Sequence, residues 1–135
     1  MPFAPCFSVK DTAASIAFYK TLGFDVDSST AQPGDDIHML LYKGEFLGMI
    51  YANSDLKTFL PALKDTPVGF AGMFYMGVDD LEGVRDGIAQ HTEIVKDISG
   101  DHTGQRMFYF RDIDGYVIGV NEKAALEASE LGKYA

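Results

Sequence analysis

The sequence predicts an α+β protein built from two tandem βαβββ units, and three observations support this fold class. Short strand-like runs and one helix-like stretch follow one another in the order β, α, β, β, β, and the same order returns in the second half. Val9 and Val78 occupy matching places at an offset of 69 residues, and so do Asp11 and Asp80. Self-similarity at a fixed spacing indicates a duplicated structural unit.

The first unit begins with a strand over residues 6–9, where apolar and polar residues alternate. Asp11 or Thr12 can cap the helix that follows, because a short side-chain oxygen accepts from the free N–H groups of the first turn. Apolar residues then recur at near-helical spacing until Gly23, which favours a helix end. Three further strands are predicted over residues 24–27, 37–42 and 46–51. A loop at 33–36 precedes the second of them, and a tight turn at 43–45 joins the second to the third.

A proline-containing linker precedes the second unit, with a short helix predicted at about 56–63. The second unit has a strand over 72–78, a cap at Asp79 or Asp80, and a helix whose apolar residues recur at i, i+3 and i+7. A short strand at 94–95 and a polar loop at 100–104 follow. A hairpin of 106–111 and 116–122 around the turn 112–115 ends the unit.

These boundaries define one domain over residues 1–122 with a C-terminal helical tail over 123–135. Unit one covers about 3–53, the linker 54–70 and unit two about 71–122. The tail is rich in alanine and glutamate, and we expect a helix that frays in solvent rather than a partner-binding element.

The composition is that of a folded protein, with 47% hydrophobic and 23% charged residues in a chain of 135. The formal net charge of −9 disfavours nucleic acid and anionic membrane surfaces as partners, because both attract basic patches. Such a charge suits a cationic ligand, although solubility alone explains it equally well.

The sequence indicates a cytoplasmic protein. No stretch approaches the roughly 20 apolar residues that span a bilayer, and the first residues lack the pattern of a secretory signal. Cys6 is the single cysteine, so no internal disulfide can form, and a reducing compartment is expected.

Two segments carry a family resemblance. Residues 7–11, 15–19 and 22–24 resemble the opening of the glyoxalase/bleomycin resistance protein/dioxygenase superfamily, also called the vicinal oxygen chelate fold. Residues 108–116 resemble its closing hairpin, with Ile113 where the usual turn has proline. The resemblance covers about residues 3–122, and it implies two half-barrels that form an open barrel with a central cavity. It also implies a homodimer.

Metal-dependent members of this superfamily take their ligands from the first and fourth strand of each unit. The equivalent positions here are Ala4, Met49, Met73 and Gly119. None offers an oxygen or nitrogen donor, and thioethers are poor ligands for hard or borderline cations. We therefore expect no metal and no other cofactor.

The resemblance thus implies a metal-independent small-molecule-binding protein that sequesters a toxic or antibiotic-like ligand, such as a cationic, aromatic one. The alternative is an enzyme of the same fold, of glyoxalase or lyase, isomerase or dioxygenase type, with a displaced metal or a protein-only acid and base. A structural or interaction role, with a collapsed cavity, is a third interpretation.

The resemblance implies the candidate ligand-binding residues: strand alternation places residues two apart from the family's ligand positions on the same side, and Tyr109 corresponds to a cavity-facing tyrosine of the family's closing hairpin. Three of them are tyrosines, which stack on planar ligands and receive cations. Because the same residues also suit the core of a filled barrel, an open and a filled cavity remain alternatives. The predicted set is Cys6, Ser8, Leu47, Met49, Tyr51, Met73, Tyr75, Tyr109 and Asn121, with Val117 beside them.

No catalytic residue is predicted for a binding protein, whereas the enzyme alternative would use His38 or His102 as an acid, a base or a metal ligand. The three histidines are not spaced like the ligands of one metal ion. His38 lies on a strand, and the pattern does not decide which face of the sheet it takes; His91 lies near the end of the second helix, and His102 lies in a polar loop. Cys6 is expected to be a buried, inert thiol rather than a reactive one. Arg106 and Arg111 suit either an anionic ligand or the solvent ends of their strand.

Overall fold

The computed structural model describes residues 3–69 and 73–135. The chain divides into two compact units, Met1–Phe70 and Ala71–Ala135. Each unit contains one open four-stranded sheet with helices packed against it. The predicted fold class, α+β with two tandem βαβββ units, is confirmed.

Unit one contains β1 (Cys6–Val9), α1 (Thr12–Thr21), β2 (Asp25–Asp27), β3 (Ile37–Tyr42) and β4 (Glu45–Ala52). The strands lie in the order β1-β4-β3-β2. The outer strand β1 runs parallel to β4, and the other pairs are antiparallel.

Unit two repeats this topology. It contains β5 (Met73–Val78), α3 (Leu81–Ala89), β6 (Ile94–Gly100), β7 (Arg106–Arg111) and β8 (Val117–Glu122). The order β5-β8-β7-β6 has the same parallel outer pair, β5 with β8. The strand register is also repeated. Cys6 of β1 lies opposite Met49 of β4, and the residues about 70 positions later, Tyr75 of β5 and Gly119 of β8, lie opposite each other in unit two.

Both unit helices begin at an aspartate cap. The Asp11 carboxylate accepts a hydrogen bond from the Ala14 N–H at 3.1 Å, and the Asp80 carboxylate accepts one from the Gly83 N–H at 3.0 Å. Asp11 is therefore the cap of α1. Thr12 donates its hydroxyl to the Asp36 carboxylate instead.

One face of each sheet packs on its helix and forms the core. In unit one, Val9 and Ile50 are fully buried together with Tyr19 of α1. In unit two, Phe108 and Phe110 are fully buried together with Leu81 of α3. The alternation of strand side chains leaves every second residue on the opposite, open face of the sheet.

The two hairpin turns are stabilised in different ways, one by its backbone conformation and one by side-chain hydrogen bonds. Lys43 and Gly44 form a two-residue turn with φ of 49° and 80°, which matches the right-handed strand twist. In the 112–115 turn, the Asp112 carboxylate accepts from the N–H groups of Asp114 and Tyr116, both at 2.9 Å. These bonds hold the turn without a proline at Ile113.

The linker differs from its prediction. The helix α2 covers Asn53–Phe59 and a 3-10 turn covers Pro61–Leu63, whereas the pattern predicted one helix at about 56–63. Leu60 separates them with φ −122° and ψ 82°. Proline disfavours helical geometry in the residue before it, so the helix ends there.

Two predicted boundaries in unit two are wrong, the end of the strand β6 and the end of the C-terminal helix. The strand β6 extends to Gly100, because an edge strand tolerates the exposed residues Lys96 and Asp97 that hid it in the sequence pattern. The C-terminal helix α4 covers only Lys123–Ala128, Ser129 is extended, and a 3-10 turn follows over Gly132–Tyr134. The predicted start of β5 at Gly72 lies outside the described residues.

No helix within residues 3–69 and 73–135 is long and apolar enough to cross a membrane.

Candidate functional site

The open face of the unit-two sheet carries the residues that define the candidate site. Tyr75, Gly119 and Tyr109 lie side by side on three neighbouring strands, β5, β8 and β7. Met107 and Asn121 form the next row on the same face. Sheet register therefore brings Tyr75, Tyr109 and Asn121, three of the predicted site residues, onto one surface.

A cavity of about 760 Å³ lies on this face, within the usual range of small-molecule sites. The predicted residues Tyr75, Tyr109 and Asn121 line it, whereas the predicted residue Met73, on the same strand and 53% exposed, does not. Its other main walls come from the loop between β6 and β7 and from the C-terminal residues, which sequence reasoning missed: Asp101, Gln105, Met107, Lys123, Leu126, Glu127, Leu131 and Tyr134.

The two tyrosine rings meet edge to face above Gly119. Their centroids are 6.1 Å apart at an interplanar angle of 76°. A Cβ at position 119 would come within 2.7 Å of the Tyr75 ring and 2.8 Å of the Tyr109 ring. Glycine is thus the residue that lets both rings lie on the sheet.

The phenol of Tyr109 is held in its neutral form. Burial, and then the hydrogen bond and charge of Tyr75, raise the pKa of Tyr109 to about 12. The hydroxyl donates to the sulfur of Met107 at 3.1 Å. Tyr109 therefore offers the cavity an aromatic surface and an uncharged hydroxyl at neutral pH.

Asn121 is a cavity residue whose side chain is almost fully buried. The residue is 7% exposed, and its Oδ1 atom is buried without a hydrogen-bond partner among the described residues. This atom faces Gly77, where an added Cβ would lie 3.1 Å from it, so a bound molecule could reach it only if neighbouring side chains moved.

Charged side chains at the cavity are mainly acidic, with Asp101 and Glu127 against Lys123. Hydrogen bonds from Thr103 and Gln105 hold the pKa of the Asp101 carboxyl below its usual value, so it is anionic at neutral pH. Neither Arg106 nor Arg111 lines this cavity. Arg106 pairs with Glu82 at 2.5 Å and Glu122 at 2.6 Å, which disfavours its use for an anionic ligand.

The predicted site residues of unit one lie on the open face of their own sheet. Cys6 is paired with Met49, and Ser8 with Tyr51, across β1 and β4. Leu47 is half-buried on β4 beside the irregular register with β3. These residues make a second open face within unit one.

Two polar groups of that face are already engaged within the unit. The Ser8 hydroxyl donates to the Asn53 side chain at 2.8 Å. The Tyr51 hydroxyl donates to the Asp35 carboxylate at 2.9 Å, and this bond raises the pKa of Tyr51. Both side chains are thereby oriented by neighbours in the same unit.

Cys6 is exposed, so its expected burial is wrong. Partial desolvation of the thiol still raises its pKa. A raised pKa disfavours the thiolate, which is the reactive form. The inert alternative for Cys6 is therefore the one that the structure favours.

His38 lies on the buried face of its sheet, which the sequence pattern did not decide. His38 is aligned with Ile50 on the helix side of the sheet and is 7% exposed. Its Nδ1 lies 2.7 Å from the Ser28 hydroxyl, and its Nε2 lies 2.6 Å from the Asp36 carboxylate. Bonds from Thr12 and then His38 lower the pKa of the Asp36 carboxyl.

The remaining histidines, His91 and His102, are exposed. Across the described part of the chain, no group of three or more histidine, cysteine, aspartate or glutamate residues is arranged to hold a metal ion.

The metal that the resemblance associates with this fold does not fit the residues present. Met49 and Met73 carry only thioethers, and Ala4 and Gly119 carry no donor at all. At position 119 the two tyrosine rings occupy the space that a ligating side chain would need. None of the four positions, of which Ala4 lies just before β1 and the other three lie on β4, β5 and β8, offers a metal-binding oxygen or nitrogen side-chain atom.

The fold and the cavity together define a class of protein: two βαβββ units with open sheets, one of which carries a small-molecule-sized cavity. The sequence model of the Glyoxalase/Bleomycin resistance protein/Dioxygenase superfamily matches residues 4–120. The chain belongs to this superfamily, and the predicted membership is confirmed. No curated protein sequence matches the chain.

Solved structures share the fold at low sequence identity. A hypothetical protein from S. aureus is 16% identical with a TM-score of 0.71, covering 89% of this chain and 91% of that one. A superfamily member from Sphaerobacter thermophilus is 19% identical with a TM-score of 0.69, covering 88% and 94%. A bleomycin-binding protein complexed with bleomycin is 17% identical with a TM-score of 0.63, covering 89% and 96%. At such identities the likeness shows the fold alone.

Proposed function

We propose that this protein binds a small organic molecule without a metal ion, in the cavity on the open face of unit two. The observation that carries the proposal is the cavity itself, which has a volume of about 760 Å³ and two tyrosine rings at its wall. A mostly apolar cavity with few polar groups is typical of ligand-binding sites.

Sequestration of a toxic or antibiotic-like compound is the role that we propose for this binding. The fold likeness to a bleomycin-binding protein supports it. The acidic groups Asp101 and Glu127 favour a ligand that carries positive charge or hydrogen-bond donors, and the tyrosines favour one with a planar, aromatic part. A homodimer in the cytoplasm belongs to the same proposal.

Metal independence is proposed because the four superfamily ligand positions carry no hard donor. The arrangement around Gly119 strengthens it, since a ligating side chain there would collide with Tyr75 and Tyr109. No step of the proposed binding needs a cation.

Comparison of the native and denatured masses of the freshly purified protein is the first test. We expect a native mass of twice the 14.8-kDa chain, with or without a bound organic molecule. A native mass that exceeds that of the bare chains by the mass of an organic molecule would identify the class of ligand. A stoichiometric excess equal to a metal ion would contradict metal independence.

A screen of cationic and aromatic compounds tests the site itself. Because the chain has seven tyrosines and three of them line the cavity, amide NMR titration rather than tyrosine fluorescence is used to locate the bound compound. For any compound that binds, Tyr109→Ala should weaken binding at least tenfold. The matched control is Tyr42→Ala on β3 of unit one, which should leave affinity unchanged. Full affinity in Tyr109→Ala would remove Tyr109 from the site, and a screen without a single binder would contradict the proposed function.

A further inference from the structure

The Asp101 carboxylate is held in a fixed position at the cavity. Its Oδ1 atom accepts hydrogen bonds from the Thr103 hydroxyl at 2.6 Å, the Thr103 N–H at 2.9 Å and the Gln105 N–H at 3.1 Å. None of these three bonds uses Oδ2. The Thr103 hydroxyl makes the largest contribution to lowering the pKa of the Asp101 carboxyl. The loop between β6 and β7 therefore places a full negative charge at the cavity at neutral pH.

A buried glutamine supports this arrangement. Gln105 is 8% exposed, and its Nε2 donates to the Thr103 hydroxyl at 3.2 Å. The Thr103 hydroxyl thus accepts from Gln105 and donates to Asp101, which fixes its orientation. The other carboxylate at the cavity is different: Glu127 is exposed, and within the part of the chain that the structure describes no hydrogen bond holds its side chain. Asp101 is therefore the carboxylate whose position the fold determines.

The two tyrosine rings lie at the same cavity as this charge. The Asp101 carboxylate is close enough to Tyr109 to contribute to the raised pKa of that phenol. Tyr75 meets Tyr109 edge to face and is 55% exposed, so its ring is open to a bound molecule. The faces of neutral aromatic rings attract positive charge. A fixed carboxylate beside two such rings suits an organic cation.

The kind of cation follows from the hydrogen-bond acceptors that remain. A primary ammonium is strongly hydrated and needs partners for three N–H groups. At this cavity the Oδ1 atom of Asp101 already accepts three bonds, and the Tyr109 hydroxyl is directed to the sulfur of Met107. A quaternary ammonium has no N–H group to satisfy, and aromatic rings bind its diffuse charge well.

We propose that the cavity of unit two binds an aromatic ligand with a quaternary ammonium group, whose charge lies between the Asp101 carboxylate and the rings of Tyr75 and Tyr109. Asp101 determines the specificity for the charge, and Thr103 and Gln105 are positioning residues that hold its carboxylate. This inference rests on the proposed function.

A pair of probes with one shape tests the charge. In (3-hydroxyphenyl)trimethylammonium a positively charged nitrogen replaces the central carbon of the tert-butyl group of 3-tert-butylphenol, and the two molecules are otherwise alike. Amide NMR titration of the full chain at neutral pH should show both probes at the cavity residues. The cation should bind about tenfold more tightly or better, because only the cation gains from the rings and the carboxylate.

Two charge-removing variants test Asp101. Asp101→Asn removes the charge but keeps an oxygen that can accept the bonds of the loop. The affinity for the cation should fall about fivefold or more, whereas the affinity for 3-tert-butylphenol should not change. Glu127→Gln is the matched control, because it removes the same charge from an exposed side chain at the same cavity. It should change the affinity for the cation by less than about twofold.

Thr103→Val tests the positioning of the carboxylate. It keeps the size of the side chain and removes the hydroxyl, while both backbone N–H groups can still bind Asp101 Oδ1. The pKa of Asp101, followed by NMR, should rise towards its usual value, and the affinity for the cation should fall without a change for 3-tert-butylphenol. An unchanged pKa together with an unchanged cation affinity would remove Thr103 from this role.

Two substitutions of Tyr75 test the aromatic contribution. Tyr75→Phe keeps the ring and should keep the preference for the cation over 3-tert-butylphenol. Tyr75→Leu removes the ring and should reduce this preference, because the cation loses an aromatic face while the neutral probe keeps an apolar contact. A preference that is the same in both variants would exclude Tyr75 from binding the charge.

The possible failures are distinct. Equal affinities of the two probes for the unmodified protein overturn the cationic ligand class, while their binding at the cavity residues still supports the proposed function. Equal losses of cation affinity in Asp101→Asn and Glu127→Gln overturn the role of Asp101. Absence of binding of both probes at millimolar concentration overturns the ligand class, and the broader compound screen then decides the proposed function separately.

Discussion

Gly119 shows how one residue without a side chain shapes the site. It lies where the resemblance places a metal ligand, yet the rings of Tyr75 and Tyr109 fill the space above it. The sequence alone shows the missing donor at this position. The reason, two aromatic rings laid on the sheet, appears only when the strands are in register.

The substitution Gly119→Ala should destabilise the protein by about 1–3 kcal/mol, because an added methyl group forces the two rings from their positions in a packed site. The matched change Gly87→Ala, on the exposed side of α3, meets no atom within 4 Å. It should stabilise the helix by about 0.5–1 kcal/mol. Urea unfolding measures both, and an equal effect of the two substitutions would contradict the close approach at Gly119.

His38 is a residue whose role changed once its neighbours were known. Its strand pattern allowed either face, and one alternative used it as an acid, a base or a metal ligand. The structure places it on the helix side between Ser28 and Asp36. Those partners are ten and two residues away in the sequence, and no local pattern indicates that they meet the same ring.

At the scale of elements, the two unit helices show how much a local signal can determine. The caps were predicted at residues 11–12 and 79–80 from their place before an apolar periodic run. Asp11 and Asp80 are the ones that accept, each from an N–H three residues on. The prediction succeeded because a cap depends on four consecutive residues and on little else.

Removing the cap of α3 should have a defined cost. In Asp80→Ala the Gly83 N–H loses its acceptor, and we expect a loss of about 0.5–2 kcal/mol in the free energy of unfolding. Asp79→Ala is the control, because this neighbouring exposed carboxylate makes no capping bond to Gly83. It should change stability by less than about 0.5 kcal/mol. A larger effect at Asp79 than at Asp80 would reverse the assignment of the cap.

The elements whose extent the sequence predicted wrongly, β6 and the C-terminal helix, depend on distant contacts. The strand β6 is polar, and its strand geometry comes from pairing with β7 across a loop. The C-terminal segment was predicted as one fraying helix, but Ser129 breaks it and Glu130 bonds to Thr103. The spacing of Leu126, Leu131 and Tyr134 in a polar tail was the signal that could have revealed a packed surface.

At the scale of the whole molecule, the proposal of metal-independent binding makes a direct prediction. Adding zinc, nickel or manganese in stoichiometric amounts to the chelator-treated protein should not raise its melting temperature. A specific ligand present at 100 times its dissociation constant stabilises a protein by about 2.7 kcal/mol, which amounts to several degrees. A rise of that size with one of these ions would reject metal independence.

The same experiment distinguishes the binder from the alternative of an enzyme with a displaced metal. The candidate residues of that alternative lie apart in the described structure: His38 is buried on the helix side, and His91 and His102 are exposed. A metal-dependent thermal shift would direct attention to these residues and their carboxylate neighbours. A flat response leaves the cavity of unit two as the site to examine.

The sequence by itself determined the duplicated βαβββ architecture, the capped helices, the superfamily, and the face of the second sheet that carries Tyr75, Tyr109 and Asn121. The architecture and the caps follow from periodicity and spacing within short stretches, whereas the superfamily and the cavity face follow from the resemblance of residues 7–11, 15–19, 22–24 and 108–116 to that family. Only the tertiary structure decided that His38 faces the helix and that Lys123, Leu126, Glu127, Leu131 and Tyr134 line the cavity. It also decided that Asn121 Oδ1 is buried with no hydrogen-bond partner in the described part of the chain. Those features depend on which distant residues are brought into contact, and packing rather than local pattern determines such contacts.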